Sequence, residues 1–529
     1  MKANQRIWTG VTAAALMTSV LTACTSSNNE PAQGQAAATS KPAQPASFTI
    51  LSNDGGNPYA KQVKPDDKYF KEASRLFSEF SGKPTTVNWQ YLDAATYSQL
   101  LSVRFASNDL TEVISSTSIT DKGHPTAVEN GAFLPLNELL DKYGQNIKKK
   151  VPQYVWDNPS ISRDGKIYAI PKLLTPLNPK GLYYRKDWLD KLGLKPPETL
   201  EDYLAYFEAV KTKDPNGNGQ ADEIGYPLRG GINFGDSFFG YFGANPGSWT
   251  FTDGKFIPDI IRPEMKQAIA FYKQLYDKGY INKDFATINA ADWSKLILSD
   301  KAALWTYDLR NVADYTTEKF AGKSAKVDFL PGPKNAQGKI NIGDRGLGVA
   351  KVFMINAKSK NPERFVEYMN WIYSDDAKKT EFFDFGIEGQ NFAKKDGKIE
   401  WNAFGPENKD DKVFYQTMMN PSWDARMDLA VVEKTGTVDK AALQRAIGYT
   451  ETNLGDNQAL NMPALESIKT KPELGIDAGS LFLDMFAKVV SGKENTDTAF
   501  DKFVSDWKKR GGDDAIKEAT DWYNKTKKK

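Results

Sequence analysis

Apolar positions along this chain change their period repeatedly, and each change marks an element. Phe48-Thr-Ile-Leu-Ser52 is a short apolar run closed by the polar loop Asn53-Asp54-Gly55-Gly56-Asn57, which predicts a strand and a tight turn. Phe70, Ala73, Leu76, Phe77 and Phe80 then recur at helical spacing behind Asp66 and Asp67, and Gly82 and Pro84 end that helix. Val87-Asn-Trp-Gln-Tyr91 alternates as a strand, Tyr97, Leu100, Leu101 and Phe105 line a second helix, and Val113-Ile114 opens a third strand. Two such crossovers predict a parallel, doubly wound start whose loops at the strand C-terminal ends receive a ligand. Later stretches continue the alternation with longer helices. Met265, Ala268, Ile269, Tyr272, Leu275 and Tyr276 share one face; a strand-like Leu347-Gly-Val-Ala-Lys-Val-Phe-Met-Ile355 precedes a helix with Phe365, Val366, Met369 and Ile372 inward. Phe500, Phe503, Val504 and Trp507 form a late apolar face before a Gly511-Gly512 break, and Trp89 and Trp371 fit core periodicity.

The first residues follow a different rule. An apolar run from Val11 to Leu21 behind Lys2 and Arg6 has the layout of a secretory signal peptide, and it ends at Leu21-Thr-Ala-Cys24, where Cys24 is the only cysteine of the chain. Small residues meeting a cysteine at the cleavage position resemble the lipobox of bacterial lipoproteins. The resemblance implies that residues 1–23 are removed and that Cys24 carries lipid, palmitate among its acyl chains, holding an extracytoplasmic protein on the cell membrane. An ordinary signal peptide with an incidental cysteine is the competing reading. Residues 24–47 are rich in Ser, Asn, Gln, Ala and Pro, too poor in large apolar side chains to offset ordering, and are expected to be a disordered stalk reaching on the order of 26 Å.

Composition narrows the function. Loss of residues 1–23 would remove Lys2 and Arg6 and no acidic residue, leaving 67 basic against 67 acidic side chains. A formally neutral protein is a poor nucleic-acid binder. No long apolar run follows the signal, so the lipid would be the sole anchor. With one cysteine there is no internal disulfide, and the mature length exceeds one core, which predicts two or more domains. The single histidine, His124 in Asp-Lys-Gly-His-Pro, reads as a solvated loop residue and argues against histidine-dependent catalysis and His-rich zinc sites.

Residues 214–223, Asp-Pro-Asn-Gly-Asn-Gly-Gln-Ala-Asp-Glu, carry the clearest chemistry. Oxygens of Asp214, Asn216 and Asn218 alternate with Gly217 and Gly219, Gln220 offers its backbone carbonyl, and Asp222 and Glu223 close the set. This spacing matches the first half of an EF-hand loop, and a donor set of hard oxygens without His or Cys suits structural calcium rather than zinc. The closing Glu is tenth rather than twelfth, which favours a clamp over a switch. An Asn/Gly-rich turn without metal is the competing reading.

From Gly181-Leu-Tyr-Tyr-Arg-Lys-Asp-Trp-Leu to Pro-Pro-Glu-Thr-Leu200 and on through the 214–223 loop, the chain resembles extracellular solute-binding lipoproteins of ABC transporters. More narrowly, it is similar to the large calcium-containing type that includes alginate-oligosaccharide-binding proteins; Ile167-Tyr-Ala-Ile-Pro171, Phe385-Gly-Ile-Glu-Gly-Gln390 and Phe500-Asp-Lys-Phe-Val add to the match. The resemblance implies an α/β, two-lobed periplasmic-binding-protein-like fold with an interlobe ligand cleft. Lobe 1 is expected over 48–180 and 351–400, and lobe 2, with the calcium loop, over 181–350 and 401–529. It implies metal ligands at Asp214, Asn216, Asn218, Gln220, Asp222 and Glu223. It also places cleft residues at Tyr183 or Tyr184, in the cluster Trp305, Tyr307 and Asp308, at Arg345 in Gly343-Asp-Arg-Gly-Leu-Gly348, and at Trp423. Asn53 and Asp54, after the first strand, join the ligand set.

Each has a plainer reading: Trp305 as a core ring, one of Tyr183 and Tyr184 facing inward, Arg345 in a surface ion pair, Asn53 and Asp54 as turn formers. The pattern around Trp305 departs from the alginate binders, so an acidic sugar does not follow from the resemblance. The function implied is a monomeric, lipid-anchored, non-enzymatic receptor that captures an oligosaccharide and delivers it to the membrane permease of an ABC importer. The alternatives are a lipid-anchored glycoside hydrolase, which needs only two carboxylates across a cleft, and a receptor for peptides or for a membrane sensor partner.

Overall fold

A computed structural model describes residues 45–175, 180–309, 315, 320, 325–344, 346–402, 405–409, 411–421, 423–424 and 440–527. The expected signal peptide, Cys24, the expected stalk up to residue 44 and Arg345 lie outside the described residues, and of Trp423 only the backbone is described. No helix among the described residues is long and apolar enough to cross a membrane.

The start of the folded chain is the expected β-α-β-α-β unit. Strand β1 (Ala46–Asn53) is followed by α1 (Lys68–Ser81), β2 (Thr85–Leu92), α2 (Tyr97–Ser107) and β3 (Val113–Ser116). Both β2 and β3 run parallel to β1, with Ile50 opposite Trp89 on one side and Val113 on the other. The strand begins earlier than the expected end of the stalk: Ala46 and Ser47 pair with Thr85 and Thr86, because the edge of β2 supplies their backbone partners. Helix α1 is set by its ends. The Asp67 carboxylate accepts the Tyr69 backbone N–H, and Gly82 leaves the helix at φ 66°, a left-handed conformation that favours glycine. Phe70, Ala73, Leu76 and Phe77 are buried as their spacing predicts, whereas Phe80 projects into solvent at the end of the stripe.

Six further strands complete two sheets. Strand β4 (Ala169–Thr175) leads through residues 176–179 to β5 (Lys180–Arg185), and β6 (Leu304–Asp308) and β7 (Val327–Leu330) flank β5 in a three-stranded antiparallel sheet. The chain then returns as β8 (Val349–Ile355), which pairs antiparallel with both β3 and β4, while β9 (Trp423–Asp424) lies parallel to Leu174–Thr175. The large sheet therefore reads β9-β4-β8-β3-β1-β2.

Two large apolar cores surround these sheets, and a smaller one around Tyr183, Trp305 and Phe329 covers the other face of the small sheet. One of the large cores gathers β1, β2, β3, β8 and the helix α5 (Pro362–Ile372), with Phe365, Val366, Met369 and Trp371 buried. The other gathers β5 and β6 with α3 (Leu200–Lys213), α4 (Pro263–Asp277), α6 (Leu481–Val490) and α7 (Thr496–Trp507). Each fully buried Ile, Leu or Phe in them contributes about 1.5–3 kcal/mol. This is the two-lobed α/β arrangement. Phe414, Tyr415 and Met419, from a stretch expected in the second lobe, pack in the first core.

His124 corrects the sequence reading. Its ring is buried, packed against Phe105 and edge-on to Phe133, and burial lowers its pKa despite the neighbouring Asp121 carboxylate. A Gly-Pro context signals a turn, but a turn can carry its side chain inward.

Candidate functional site

The site grows from the place where the chain changes sheets. β4 leaves the large sheet at Thr175, β5 enters the small one at Lys180, and β8 and β9 lie beside β4, so the end of β4 and the starts of β5, β8 and β9 sit at one junction. Strand C-terminal ends of a parallel sheet face such a junction.

On the first lobe, Ser52 and Asn53 end β1 and Ser115 and Ser116 end β3, with Ser52, Ser115 and Ser116 buried. Lys351 on β8 donates from Nζ to Ser52 Oγ at 2.9 Å and to Asn53 Oδ1 at 3.3 Å. Burial pushes its pKa down to about 8, with Asp54 opposing the shift. Lys172, its partner across the β4–β8 ladder, donates to the Thr417 carbonyl at 2.5 Å. Asp54 is buried and builds the loops: Oδ1 accepts the N–H of Gly56 at 2.9 Å and of Ala94 at 3.1 Å. Asn53 Oδ1 also accepts the Gly55 N–H at 3.2 Å. Of the expected pair, both side chains shape the turn, and Asn53 reaches the lysine. Lys172 and Lys351 escaped the sequence reading; the signal for both was a lone lysine inside an apolar strand, Ala169–Thr175 and Val349–Ile355.

On the second lobe, the rings divide by strand parity. Trp305 lies opposite Tyr183, so both point to one face, where they stack at 6.0 Å with planes 10° apart and pack on Tyr315. Both are fully buried, and the Tyr183 hydroxyl donates to the Asp308 carbonyl at 2.8 Å. Tyr184 points the other way into the large second core. The cleft-facing role expected of Tyr183, Tyr184 and Trp305 is therefore not the one they hold here: burial leaves no ring face open. Two residues further along β6, at its junction end, Tyr307 and Asp308 are partly exposed opposite Gly181 and Lys180. Lys180 also pairs with Asp236 at 2.5 Å.

Phe234, which sequence periodicity did not reveal, completes this wall. Its ring stacks on Tyr307 at 4.8 Å, and Trp293 lies nearly parallel to both, 6.2 Å away in each case. The backbone that presents it is strained: Gly231, Ile232 and Phe234 have φ of 77°, 53° and 59°. A β-branched residue at positive φ costs of order 1–3 kcal/mol, a conformation kept where the surroundings impose it.

Asp344, just before β8, is the anchor of the return crossing. It accepts from Asn245 Nδ2 at 2.7 Å and from the Ser248 hydroxyl, and burial, with Asp259 nearby, raises its pKa.

The 214–223 loop follows α3, with Asp214 in a left-handed conformation at its end. The Asp214 carboxylate accepts backbone N–H groups of Gly217, Asn218 and Gly219 at 2.8–3.1 Å. The Asn216 and Asn218 side-chain oxygens accept the N–H of Asn218 and Gln220. Glu223 is buried with Oε2 unpartnered, and its pKa is raised first by burial and further by the contacting Asp214 carboxylate. Two facing carboxylates with an orphaned oxygen fit a hard cation between them. Asp222 does not converge with them: it pairs with Lys301 at 2.6 Å. Among the described residues no group of three or more His, Cys, Asp or Glu side chains converges on one metal position.

Residues 59–379 match the family model of the bacterial extracellular solute-binding protein. This chain belongs to that family. Among relatives of this solute-binding protein, the polygalacturonan/rhamnogalacturonan-binding protein YtcQ of Bacillus subtilis is 26% identical over 517 residues, covering 96% of each chain. Lipoprotein LipO of the same organism is 26% identical over 484 residues, covering 89% of this chain and 92% of its own. Among solved structures, the alginate-binding protein AlgQ2 without calcium ion matches with a TM-score of 0.65 at 20% identity, over 91% of this chain and 98% of that one. The solute-binding protein thus shares the two-lobed fold of that structure.

Proposed function

We propose that this solute-binding protein captures an oligosaccharide between its lobes and hands it to the permease of an ABC importer. The observation that carries the reading is the pairing, at one junction, of hydrogen-bonding side chains with stacked rings: Ser52, Asn53 and Lys351 on the first lobe, Phe234, Tyr307 and Asp308 on the second. Sugars offer apolar faces ringed by hydroxyls, and such walls answer both. The polygalacturonan-binding relative supports a carbohydrate ligand.

Closure of the lobes about the β4–β5 and β8 crossings would enclose the ligand and present one joined face to the permease. We place the first lobe at 46–175 and 349–419 and the second at 180–344 and 440–527. The protein acts as a monomer without catalysis, held by lipid on Cys24 as the lipoprotein relative supports, with neither nucleic acid nor a membrane span among its contacts. Structural calcium sits in the 214–223 loop, held by Asp214 and Glu223 with the Asn216 and Asn218 oxygens, a reading supported by the orphaned Glu223 Oε2 beside Asp214. Thermal-shift screening of the purified protein against sugar oligomers and peptides tests the ligand class: stabilisation by at least one oligosaccharide is expected, and stabilisation by peptides alone overturns it.

A further inference from the structure

Arg229 stands apart from the other arginines withdrawn from solvent. Arg104, Arg185, Arg262 and Arg364 each meet a carboxylate within 4 Å. Arg229, half-buried, has no carboxylate partner among the described residues: its Nε donates to the Asn233 carbonyl at 3.0 Å, and its guanidinium lies 5.0 Å from the Phe234 ring centre and 5.2 Å from that of Trp293. The two rings flank the fork, and among the described residues Nη1 and Nη2 have no hydrogen-bond partner. A guanidinium partly removed from water normally acquires a counter-charge, because its desolvation is otherwise uncompensated. Here burial lowers the Arg229 pKa with only the tyrosines 307 and 315 opposing. The nearby cation, Lys180, has already taken Asp236.

We propose that Arg229 reads a carboxylate of the ligand, so that the solute is an acidic oligosaccharide whose uronate group takes Nη1 and Nη2 beside the Phe234–Tyr307 stack. Planar, bidentate recognition of a carboxylate is what a guanidinium fork does better than an ammonium. The inference rests on the oligosaccharide reading and narrows it to one chemical class.

Calorimetric titration with trimers of galacturonate, mannuronate and glucuronate, each beside its neutral counterpart, tests it on the wild-type protein and on Arg229→Gln and Arg229→Lys. An acidic trimer is expected to bind at least about tenfold more tightly than its neutral partner. Arg229→Gln should lose that preference, with neutral-sugar binding and melting temperature retained; Arg229→Lys, which keeps the charge without the fork, should recover only part of it. Equal binding of acidic and neutral trimers, or an acid preference that survives in Arg229→Gln, overturns the assignment of Arg229 and leaves the sugar receptor standing. Binding of no acidic trimer overturns the assignment of Arg229, whereas the sugar receptor falls only if the thermal-shift screen finds stabilisation by peptides alone.

Discussion

Lys351 on β8 lies directly across the ladder from Lys172 on β4, two lysines on adjacent strands at the junction of the lobes. Like charges opposite one another in a sheet are unfavourable, and each ammonium is accommodated by oxygen acceptors instead: Ser52 and Asn53 for Lys351, the Thr417 carbonyl for Lys172. The arrangement ties β1, β4, β8 and the 414–419 segment together at the base of the proposed cleft.

A pH dependence follows. The folded pKa of Lys351 is about 8, below the roughly 10.4 of an unfolded lysine. Between those values the unfolded chain holds more protons, so this group's contribution to stability rises with pH across that window and is constant below it. The melting temperature of the wild type relative to Lys351→Met should therefore climb from pH 7.5 to 10. A difference independent of pH contradicts the buried placement of Lys351.

His124 gives a signature of the same sign in an acidic window. Its folded pKa is lowered, so the unfolded chain takes up a proton first as pH falls through about 6.5, and stability from this group drains away below that point. His124→Phe, packed by the same rings Phe105 and Phe133, should lose less melting temperature than the wild type between pH 7.5 and 5. Equal losses in the two proteins would show that the ring stays hydrated.

Trp305 and Tyr307 should separate stability from binding. Trp305→Ala removes a fully buried ring and should cost about 3–5 kcal/mol, while Trp305→Phe, losing an Nε1 that has no partner, keeps most of the stability and all of the sugar affinity. Tyr307→Ala should weaken sugar binding about tenfold or more, on the order of the 1–2 kcal/mol of a stacked ring. Chemical denaturation and calorimetry read the two quantities; an affinity loss in Trp305→Phe matching that in Tyr307→Ala contradicts the division.

The calcium loop should report through chelation. With calcium at a hundredfold its dissociation constant, stabilisation of about 2.7 kcal/mol is expected, and EDTA should remove it. Asp214→Ala and Glu223→Gln should abolish the EDTA effect, since these are the facing carboxylates. Identical melting of the wild type with and without EDTA contradicts metal binding there.

The fold was legible where local patterns agree with burial. The 3.6-residue stripe of Phe70 to Phe77 and the alternation through Val87 and Trp89 led directly to the parallel β1–β2–β3 unit, since one buried face suffices to fix each element. Trp305 and Tyr183 show why the site was harder. Parity along a strand says that two rings share a face, but not whether that face is covered, and here Tyr315 covers it. Phe234 and Arg229 sit in a glycine-initiated turn with positive φ at Ile232 and Phe234, where no period exists to read. Lys351 was visible as a polar residue in an apolar strand, and its partner Ser52 only through the β1–β3–β8 pairing.

The central claim, capture of an oligosaccharide between closing lobes, is tested most directly by small-angle X-ray scattering of the mature protein during titration with the oligosaccharide that thermal-shift screening selects. The account predicts saturable one-to-one binding accompanied by a decrease in radius of gyration, with the sugar recovered uncleaved. Release of shortened sugar with turnover, or tight binding without any compaction, would contradict it.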